Sequence, residues 1–209
     1  MQTRECIIEV PHLILASASP RRSTLLSQIG LTFKIHPSDI VEPPHNVHAN
    51  KPASEVTQEL AALKAASVTQ HYKHGLIIGA DTLVSLDGEL LGKPTDDADA
   101  SVMLSRLSGT NHEVVTGVAL IDAATGQDRA WSETTQVYFR ELHAAEIAAY
   151  IESGEASDKA GAYGIQGRGA AFVRRIEGCY FNVVGLPLAS LVEYLSDFQS
   201  GKNQKIQST

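Results

Sequence analysis

The stretch "LASASPRRSTLLSQIG" (residues 15–30) contains the end of a strand, a short turn and the start of a helix. The apolar strand ends near Ala16. Ser19 is a residue type that caps helices, and Pro20 fits the first helical position, where no backbone N–H is needed. Gly30 ends the helix after its apolar face is complete. The chain is therefore expected to begin with a strand that passes directly into a helix.

Two arginines, Arg21 and Arg22, stand in the first turn of this helix. That end of a helix carries partial positive charge, so acidic residues would be favoured there. Together with the hydroxyls of Ser17 and Ser19 and the free backbone N–H groups, the two guanidinium groups could hold a phosphate. The alternative is that both arginines are ordinary solvated side chains that point away from the helix end.

Further along the chain, apolar periodicity and turn residues predict alternating strands and helices. The predicted elements are a strand in "LTFKI" (31–35), a helix over 52–72, a hairpin over 75–93 with its turn at 87–88, a helix over 98–107, two long strands over 112–139, a helix over 143–152, a strand over 180–184 and a helix after Pro187. Hairpins mixed with crossovers predict an α/β (α+β) fold, with a mixed twisted sheet flanked by helices. We expect one domain over residues 1–209, with a cleft between two lobes as one arrangement and loosely ordered tails at 1–10 and 200–209.

Composition narrows the range of functions. Hydrophobic residues make up 43% and charged residues 20% of the chain, which is ordinary for a soluble globular protein. The net charge of −7 argues against a nucleic-acid partner, because such proteins present a broad basic surface. No apolar run is long enough to cross a membrane and no secretion signal is apparent. Cys6 and Cys179 lie far apart and outside metal-ligand spacing, which favours a reducing, cytoplasmic location.

Several familiar motifs are only approximated. "GELLGKP" has its glycines too close together for a phosphate-binding loop, and proline replaces the Ser or Thr that would contact magnesium. "GIQGRG" does not have the spacing or position of a dinucleotide-binding fingerprint. The pairs His45 with His48 and His71 with His74 lack any partner pattern of a zinc site and are interpreted as surface residues.

A set of scattered residues has the chemistry of a site that handles phosphoryl groups. Cations suit phosphate and carboxylates suit a hard divalent ion; the set contains Arg21, Arg22, Glu42, Lys64, Asp81 and Lys93. Asp81 is the most informative, because in "IIGADT" an apolar strand is expected to end in this aspartate. A buried carboxylate is costly unless it is exposed at the end of the sheet, paired or bound to metal. The alternative is a structural Asp that caps a turn through Thr82.

The segment "DKAGAYGIQGRGA" (158–170) is rich in glycine, which indicates a backbone that approaches something closely. Tyr163 could stack on a base, and the amide of Gln166 could read the edge of that base. An ordinary flexible loop explains this segment equally well.

Five blocks of the sequence, taken in order, resemble the Maf family of nucleoside triphosphate pyrophosphatases, which is known from septum formation. The blocks are "LASASPRRSTLLSQIG", "GADTLVSLDGELLGKP", "MLSRLSGTNHEVVTGVAL", "DKAGAYGIQGRGAAFV" and "GCYFNVVGLPL". They cover nearly the whole chain. The resemblance implies an architecture like that of inosine triphosphatases, with a cleft.

The resemblance also implies hydrolysis of a triphosphate between its α- and β-phosphates, with Mg²⁺ or Mn²⁺ as cofactor. Asp81 is then the general base, and Glu42 and Asp81 bind the metal. The residues expected to bind substrate are Ser19, Arg21, Arg22, Lys64, Thr82, Lys93, Lys159 and Gln166. Because Arg21, Thr82 and Gln166 are present, the chain resembles the branch that acts on dTTP and UTP, with modified pyrimidine nucleotides as further candidates, rather than the branch that acts on a methylated guanine nucleotide. The longer loop after Glu42 leaves the placement of that residue open.

Two other functions remain open at this stage. The chain could be a nucleotide sensor that regulates cell division and hydrolyses little, although a phosphate binder does not need the water-activating carboxylate. It could also be a sugar-nucleotide transferase, which would need a second substrate pocket. A homodimer is compatible with the resemblance, and the apolar C-terminal helix could supply its interface or belong to the core.

Overall fold

The computed structural model describes residues 8, 10–41 and 51–200. Seven strands and six helices follow one another in this part of the chain: β1 (Leu13–Leu15), α1 (Pro20–Gln28), β2 (Phe33–Ile35), α2 (Ala53–Thr69), β3 (Leu76–Leu86), β4 (Glu89–Leu91), α3 (Asp97–Leu107), β5 (Asn111–Asp122), β6 (Asp128–Phe139), α4 (Ala144–Glu152), β7 (Val173–Glu177), α5 (Tyr180–Val184) and α6 (Leu188–Ser200). Short 3₁₀ turns lie at Ala160–Ala162 and Arg168–Phe172. The predicted tails and Cys6 lie mostly or wholly outside the described residues.

The strands form one mixed sheet in the order β2-β1-β3-β5-β6-β7, and β4 pairs with the far end of β3. β1 runs parallel to β2 and β3, whereas β3, β5, β6 and β7 are successively antiparallel. Because β1 pairs only with residues 76–78 of the eleven-residue strand β3, a gap opens beside the middle of β3 before β4 begins. The mixed sheet confirms the predicted fold class.

Helix α2 packs on one face of the sheet at two glycines. A Cβ atom at Gly79 of β3 would lie 2.1 Å from the carbonyl oxygen of Ala61, and one at Gly117 of β5 would lie 2.2 Å from that of Thr57. The absence of side chains lets the helix backbone rest directly against both strands. This close approach brings Lys64, further along α2, over the centre of β3.

The opposite face of the sheet carries two groups of helices. One apolar cluster joins β1 and the adjoining part of β3 to α1 and α6, with Leu26 and Leu191 at its centre. A second cluster joins the far half of β3, β5 and β6 to α3 and α4, with Leu104 and Ile147 in it. Within the described ranges, no helix is long and apolar enough to span a bilayer.

The predicted strand over 180–184 is wrong, because this segment forms the helix α5 and the last strand is β7. Its side chains favour a strand, but tertiary contacts decide otherwise. Asn182 is fully buried, and its Nδ2 donates to the carbonyl of Val114 and to Oγ1 of Thr135. Gly185 then ends the helix in the left-handed conformation (φ 119°). The other predicted elements are present within a few residues of their expected bounds.

Candidate active site

A cleft of about 720 Å³ lies at the gap beside the middle of β3. Of the ten residues to which the family resemblance assigns a catalytic, substrate-binding or metal-binding role, nine line it: Ser19, Arg21, Arg22, Lys64, Asp81, Thr82, Lys93, Lys159 and Gln166. The tenth, Glu42, lies outside the described residues. The fold therefore brings together side chains that lie up to 147 positions apart in the sequence, from Ser19 to Gln166.

Asp81 and Lys64 form a buried ion pair at the floor of this cleft. Nζ of Lys64 donates to Oδ1 of Asp81 at 2.6 Å, and the two side chains are only 12% and 8% exposed. The second oxygen, Oδ2, is buried without a hydrogen-bond donor among the described residues. The expectation that Asp81 ends its strand is wrong, since β3 continues for five more residues to Leu86. The alternative role as a turn cap is also wrong, because Thr82 lies in the same strand.

Arg22 is held in a fixed orientation by at least three hydrogen bonds, counting only those to described residues. Its Nε donates to the carbonyl of Gly185 at 2.9 Å, and its two terminal nitrogens donate to Ser17 Oγ at 3.1 Å and Thr82 Oγ1 at 3.0 Å. Thr116, the neighbour of Thr82 on β5, donates in turn to the carbonyl of Asn182. The interpretation of Arg22 as a freely solvated surface residue is therefore wrong.

The first turn of α1 faces the cleft without an acidic residue. Ser19 stands at the predicted N-cap position, but its side chain makes no capping bond, and its backbone N–H donates to Ser17 Oγ. The side chain of the N-cap residue thus leaves the N–H groups of this turn uncapped. A helix end with these properties is suited to binding an anion.

Asp158, which the sequence analysis did not select, links two of the expected phosphate ligands. Arg21 donates to its Oδ2 at 2.9 Å and Lys159 donates to its Oδ1 at 2.5 Å. Burial tends to raise the pKa of Asp158, but the hydrogen bonds from Lys159 and Arg21 outweigh it and lower the pKa. Asp158 thus remains ionised and holds both cations at the mouth of the cleft. Its position at the start of the glycine-rich segment, next to Lys159, was the signal that could have identified it.

Lys93 and Gln166 are exposed on the cleft walls. Lys93 follows β4, and Gln166 lies in the glycine-rich segment between the two 3₁₀ turns. Neither is buried, so both can reach a molecule that enters the cleft.

Tyr163 does not offer a face for base stacking, so that hypothesis is wrong. Its side chain is buried, and its ring packs edge-on against His112 and Phe139. The hydroxyl lies 2.7 Å from Nε2 of His112. Burial raises the pKa of Tyr163 and lowers that of His112 to about 4. This pair anchors the segment just before Gln166.

The free energy of unfolding should depend on pH through His112. In the unfolded chain this residue takes up a proton near pH 6.5, whereas in the folded chain it does so only near pH 4. The unfolded state therefore binds more protons between these values, and the free energy of unfolding should fall as the pH falls from 6.5 towards 4. Urea unfolding across that range, compared with His112→Gln, measures the contribution.

The glutamine variant keeps a polar partner for Tyr163 but cannot titrate. Its free energy of unfolding should therefore fall less steeply over the same range. If the free energy of unfolding falls equally steeply with pH in both proteins, His112 is not the cause of this pH dependence.

The carboxylate of Asp81 meets the requirements of a divalent-cation ligand. Its Oδ2 is buried and unpartnered, and a hard cation or an ordered water would satisfy it. In the part of the chain that the structure describes, no three His, Cys, Asp or Glu residues cluster as a complete protein-made metal site. Mg²⁺ characteristically binds through one or two carboxylates and completes its shell with water and substrate phosphates. The residues present fit a cation bound in that manner.

Comparisons with known proteins match most of the chain. A family model described as Maf-like protein matches residues 12–198. A protein from Syntrophomonas wolfei named dTTP/UTP pyrophosphatase is 50% identical over 182 residues, which cover 87% of this chain and 95% of that one. A protein of the same name from Geobacillus sp. is 51% identical over 181 residues, with the same coverage of both chains.

Solved structures are also similar, and one of them serves as an example. It is described as a nucleoside-triphosphatase, dITP/XTP pyrophosphatase, from Mycobacterium abscessus, and it aligns with a TM-score of 0.42 and 15% identity over 63% of this chain and 74% of that one.

Proposed function

Because the chain belongs to the Maf family, we propose that it is a nucleoside triphosphate pyrophosphatase acting on dTTP and UTP. The reaction is hydrolysis of the phosphoanhydride bond between the α- and β-phosphates, which yields the monophosphate and pyrophosphate. The observation that carries this proposal is the buried Asp81, held by Lys64 at the floor of a cleft whose walls carry cations. The names of relatives that are about half identical support the substrate.

The triphosphate binds among the cations of the cleft. Arg21, Lys93 and Lys159 supply positive charge from three separate segments, and the first turn of α1 supplies N–H donors. Charge that develops on the departing pyrophosphate is stabilised by the same groups, because they are already oriented before the reaction. Arg22 contributes charge from a fixed position and also holds Thr82 and Ser17 in place.

Asp81 orients the attacking water and accepts its proton. Lys64 holds one carboxylate oxygen, so the other is left for the water or for a cation. A carboxylate so placed acts as a general base, a role that typically contributes a factor of roughly 10² to 10⁴. Proton transfer and bond cleavage then need no covalent enzyme intermediate.

We propose Mg²⁺ or Mn²⁺ as the cofactor, held by Asp81 and by Glu42, which lies outside the described residues. When bound, the cation offsets the negative charge of the triphosphate. The orphaned Oδ2 of Asp81 supports this assignment.

Gln166 reads the base from the cleft wall. An amide side chain can donate to one atom and accept from another, which suits the alternating donors and acceptors on a pyrimidine edge. The exposed position of Gln166 in the cleft supports this role. Arg21 also lines the cleft. Thr82 accepts a hydrogen bond from the guanidinium of Arg22 and acts on specificity through that residue.

Pyrophosphate release from a panel of triphosphates tests the function. With Mg²⁺ or Mn²⁺ present, we expect release from dTTP and UTP to exceed that from CTP and 7-methyl-GTP by at least roughly tenfold, since unpaired polar groups penalise the wrong base. A chelator should abolish the release. Release from another base alone would contradict the substrate assignment, and binding without release would favour the nucleotide sensor.

The cellular location of the protein follows from its proposed substrate. We propose a cytoplasmic location, because free nucleoside triphosphates are made and consumed there. The homodimer, the absence of a nucleic-acid or membrane partner and any link to septum formation stay predictions.

A further inference from the structure

The turn that carries Gln166 is anchored on both sides by side chains from outside the turn. On one side, the N–H of Gly164 donates to the hydroxyl of Tyr150 at 3.0 Å. On the other side, the N–H of Arg168 donates to both carboxylate oxygens of Glu155, at 2.9 and 3.2 Å. We call residues 164–168 the Gln166 turn. Its two ends are thus tied to α4 and to the segment that follows α4.

The anchor at Glu155 depends on a glycine. A Cβ atom at Gly167 would lie 2.0 Å from Oε2 of Glu155 and 2.8 Å from its Cδ. Only the absence of a side chain lets the carboxylate lie against the backbone immediately after Gln166. Glu155 also lines the cleft, and its side chain is 28% exposed. Its backbone carbonyl accepts from Nζ of Lys159 at 2.7 Å.

The contact of Glu155 with the turn is made to the backbone and does not depend on the charge of Arg168. The guanidinium of Arg168 is 71% exposed and its Nε lies 3.9 Å from Glu155 Oε1, a geometry that contributes little. In contrast, a backbone N–H that donates to an ionised carboxylate makes one of the stronger hydrogen bonds in proteins. The carboxylate therefore fixes the path of the chain next to Gln166.

We propose that Glu155 is the positioning residue of Gln166 and thereby sets the discrimination between uracil and cytosine. This inference rests on the function proposed above. Uracil and thymine present a carbonyl acceptor at C4 and an N3–H donor, whereas cytosine presents an amino donor and an N3 acceptor. The reversed pattern is rejected because a turn held at one place also restricts rotation of the amide, which could otherwise exchange its donor and its acceptor. Once the turn can shift, Gln166 and the adjacent backbone groups can accommodate either edge.

The test compares kcat/KM for UTP and CTP in Glu155→Ala and Glu155→Gln. We expect the UTP-to-CTP ratio to fall by roughly tenfold in the alanine variant, the factor that corresponds to the loss of one hydrogen bond of ordinary strength. The loss should arise mainly from a higher KM for UTP. The glutamine variant keeps the volume of the side chain. Its UTP-to-CTP ratio should lie between those of the wild type and the alanine variant.

Two matched controls separate the contact from the charge. Glu152→Gln removes an exposed carboxylate three residues earlier, and Arg168→Ala removes the exposed guanidinium while leaving the N–H that Glu155 accepts from. Both should keep the wild-type ratio. Gly167→Ala, whose Cβ would displace the carboxylate, should lower the ratio as Glu155→Ala does.

A double-mutant cycle with Gln166→Ala distinguishes positioning from a general structural role. If Glu155 acts through Gln166, adding Glu155→Ala to Gln166→Ala should leave the ratio unchanged. An equal fall in kcat/KM for UTP and CTP in Glu155→Ala would overturn the proposal. Additive effects of the two substitutions on the UTP-to-CTP ratio would overturn it as well.

Hydrogen exchange at the Arg168 N–H gives a readout independent of activity. Exchange should accelerate in Glu155→Ala, and unaltered exchange would also overturn the proposal. If the wild-type protein hydrolyses neither nucleotide, the proposed function fails, while the exchange measurement still decides whether Glu155 anchors the turn.

Discussion

Asp81→Asn should lower kcat for dTTP and UTP by at least about 100-fold, while the affinity for the nucleotide stays within a few-fold of the wild type. Asparagine has the shape of aspartate but can neither accept the proton of the attacking water nor hold a divalent cation as a carboxylate does. The cations at the mouth of the cleft are untouched, so the phosphates still bind. Steady-state pyrophosphate release together with equilibrium binding of a non-hydrolysable triphosphate measures the two effects separately.

A matched control is available on the same hairpin. Asp87 stands exposed in the turn between β3 and β4 with a φ of 53°, a conformation that asparagine also adopts readily. Asp87→Asn removes the same charge away from the cleft and should leave kcat unchanged. Near-normal turnover in Asp81→Asn would eliminate Asp81 as the general base.

Gly117→Ala should reduce the free energy of unfolding by about 3 kcal/mol, the upper end of the usual range for overpacking, because the added carbon meets backbone rather than a movable side chain. Its Cβ would lie 2.2 Å from both the carbonyl carbon and the oxygen of Thr57. Helix α2 would have to move away from the sheet. Since Lys64 belongs to this helix, the distance from its Nζ to Asp81 should also increase, and residual activity should fall with stability.

Urea unfolding of Gly117→Ala and Gly126→Ala provides the comparison. Gly126 lies in the turn between β5 and β6, where nothing stands within 4 Å of an added Cβ. Its positive φ of 72° alone should cost about 1 kcal/mol. If the two variants lose equal stability, the close packing of α2 on β5 is not what the substitution disturbs.

Local signals in the sequence predicted most of the fold. Pro20 and Gly30 marked the limits of α1, and the Asp87-Gly88 turn placed the hairpin of β3 and β4, because in each case the conformational preference of one or two residues dominates. The segment "YFNVV" (180–184) was misassigned because its side chains favour a strand. The fully buried Asn182, which bonds to β5 and β6, makes it helical, and no pattern within five residues reports such long-range contacts.

The sequence pointed to residues that line the cleft, but it did not point to the residues that hold them in position. Arg21 and Gln166 stand in recognisable motifs and line the cleft as expected. Glu155 and Asp158 were missed because they act on a backbone N–H and on neighbouring cations, and such roles require no motif. Asp81 was predicted to belong to the site and lies at the floor of the cleft, but its place within β3 depends on the pairing of β3 with β5, which a single strand does not disclose.

The positive charge in the first turn of α1 implies a trade-off between the stability of the helix and the binding of an anion. Two arginines and no acid in the first turn place like charges at the positive end of a helix dipole, which is unfavourable in the empty protein. An acidic residue at either arginine would relieve this repulsion. It would also lose the hydrogen bonds that Arg21 makes to Asp158 and that Arg22 makes to Gly185, Ser17 and Thr82, and it would weaken anion binding. The two arginines therefore favour anion binding at a cost to the helix dipole that their own hydrogen bonds offset in part.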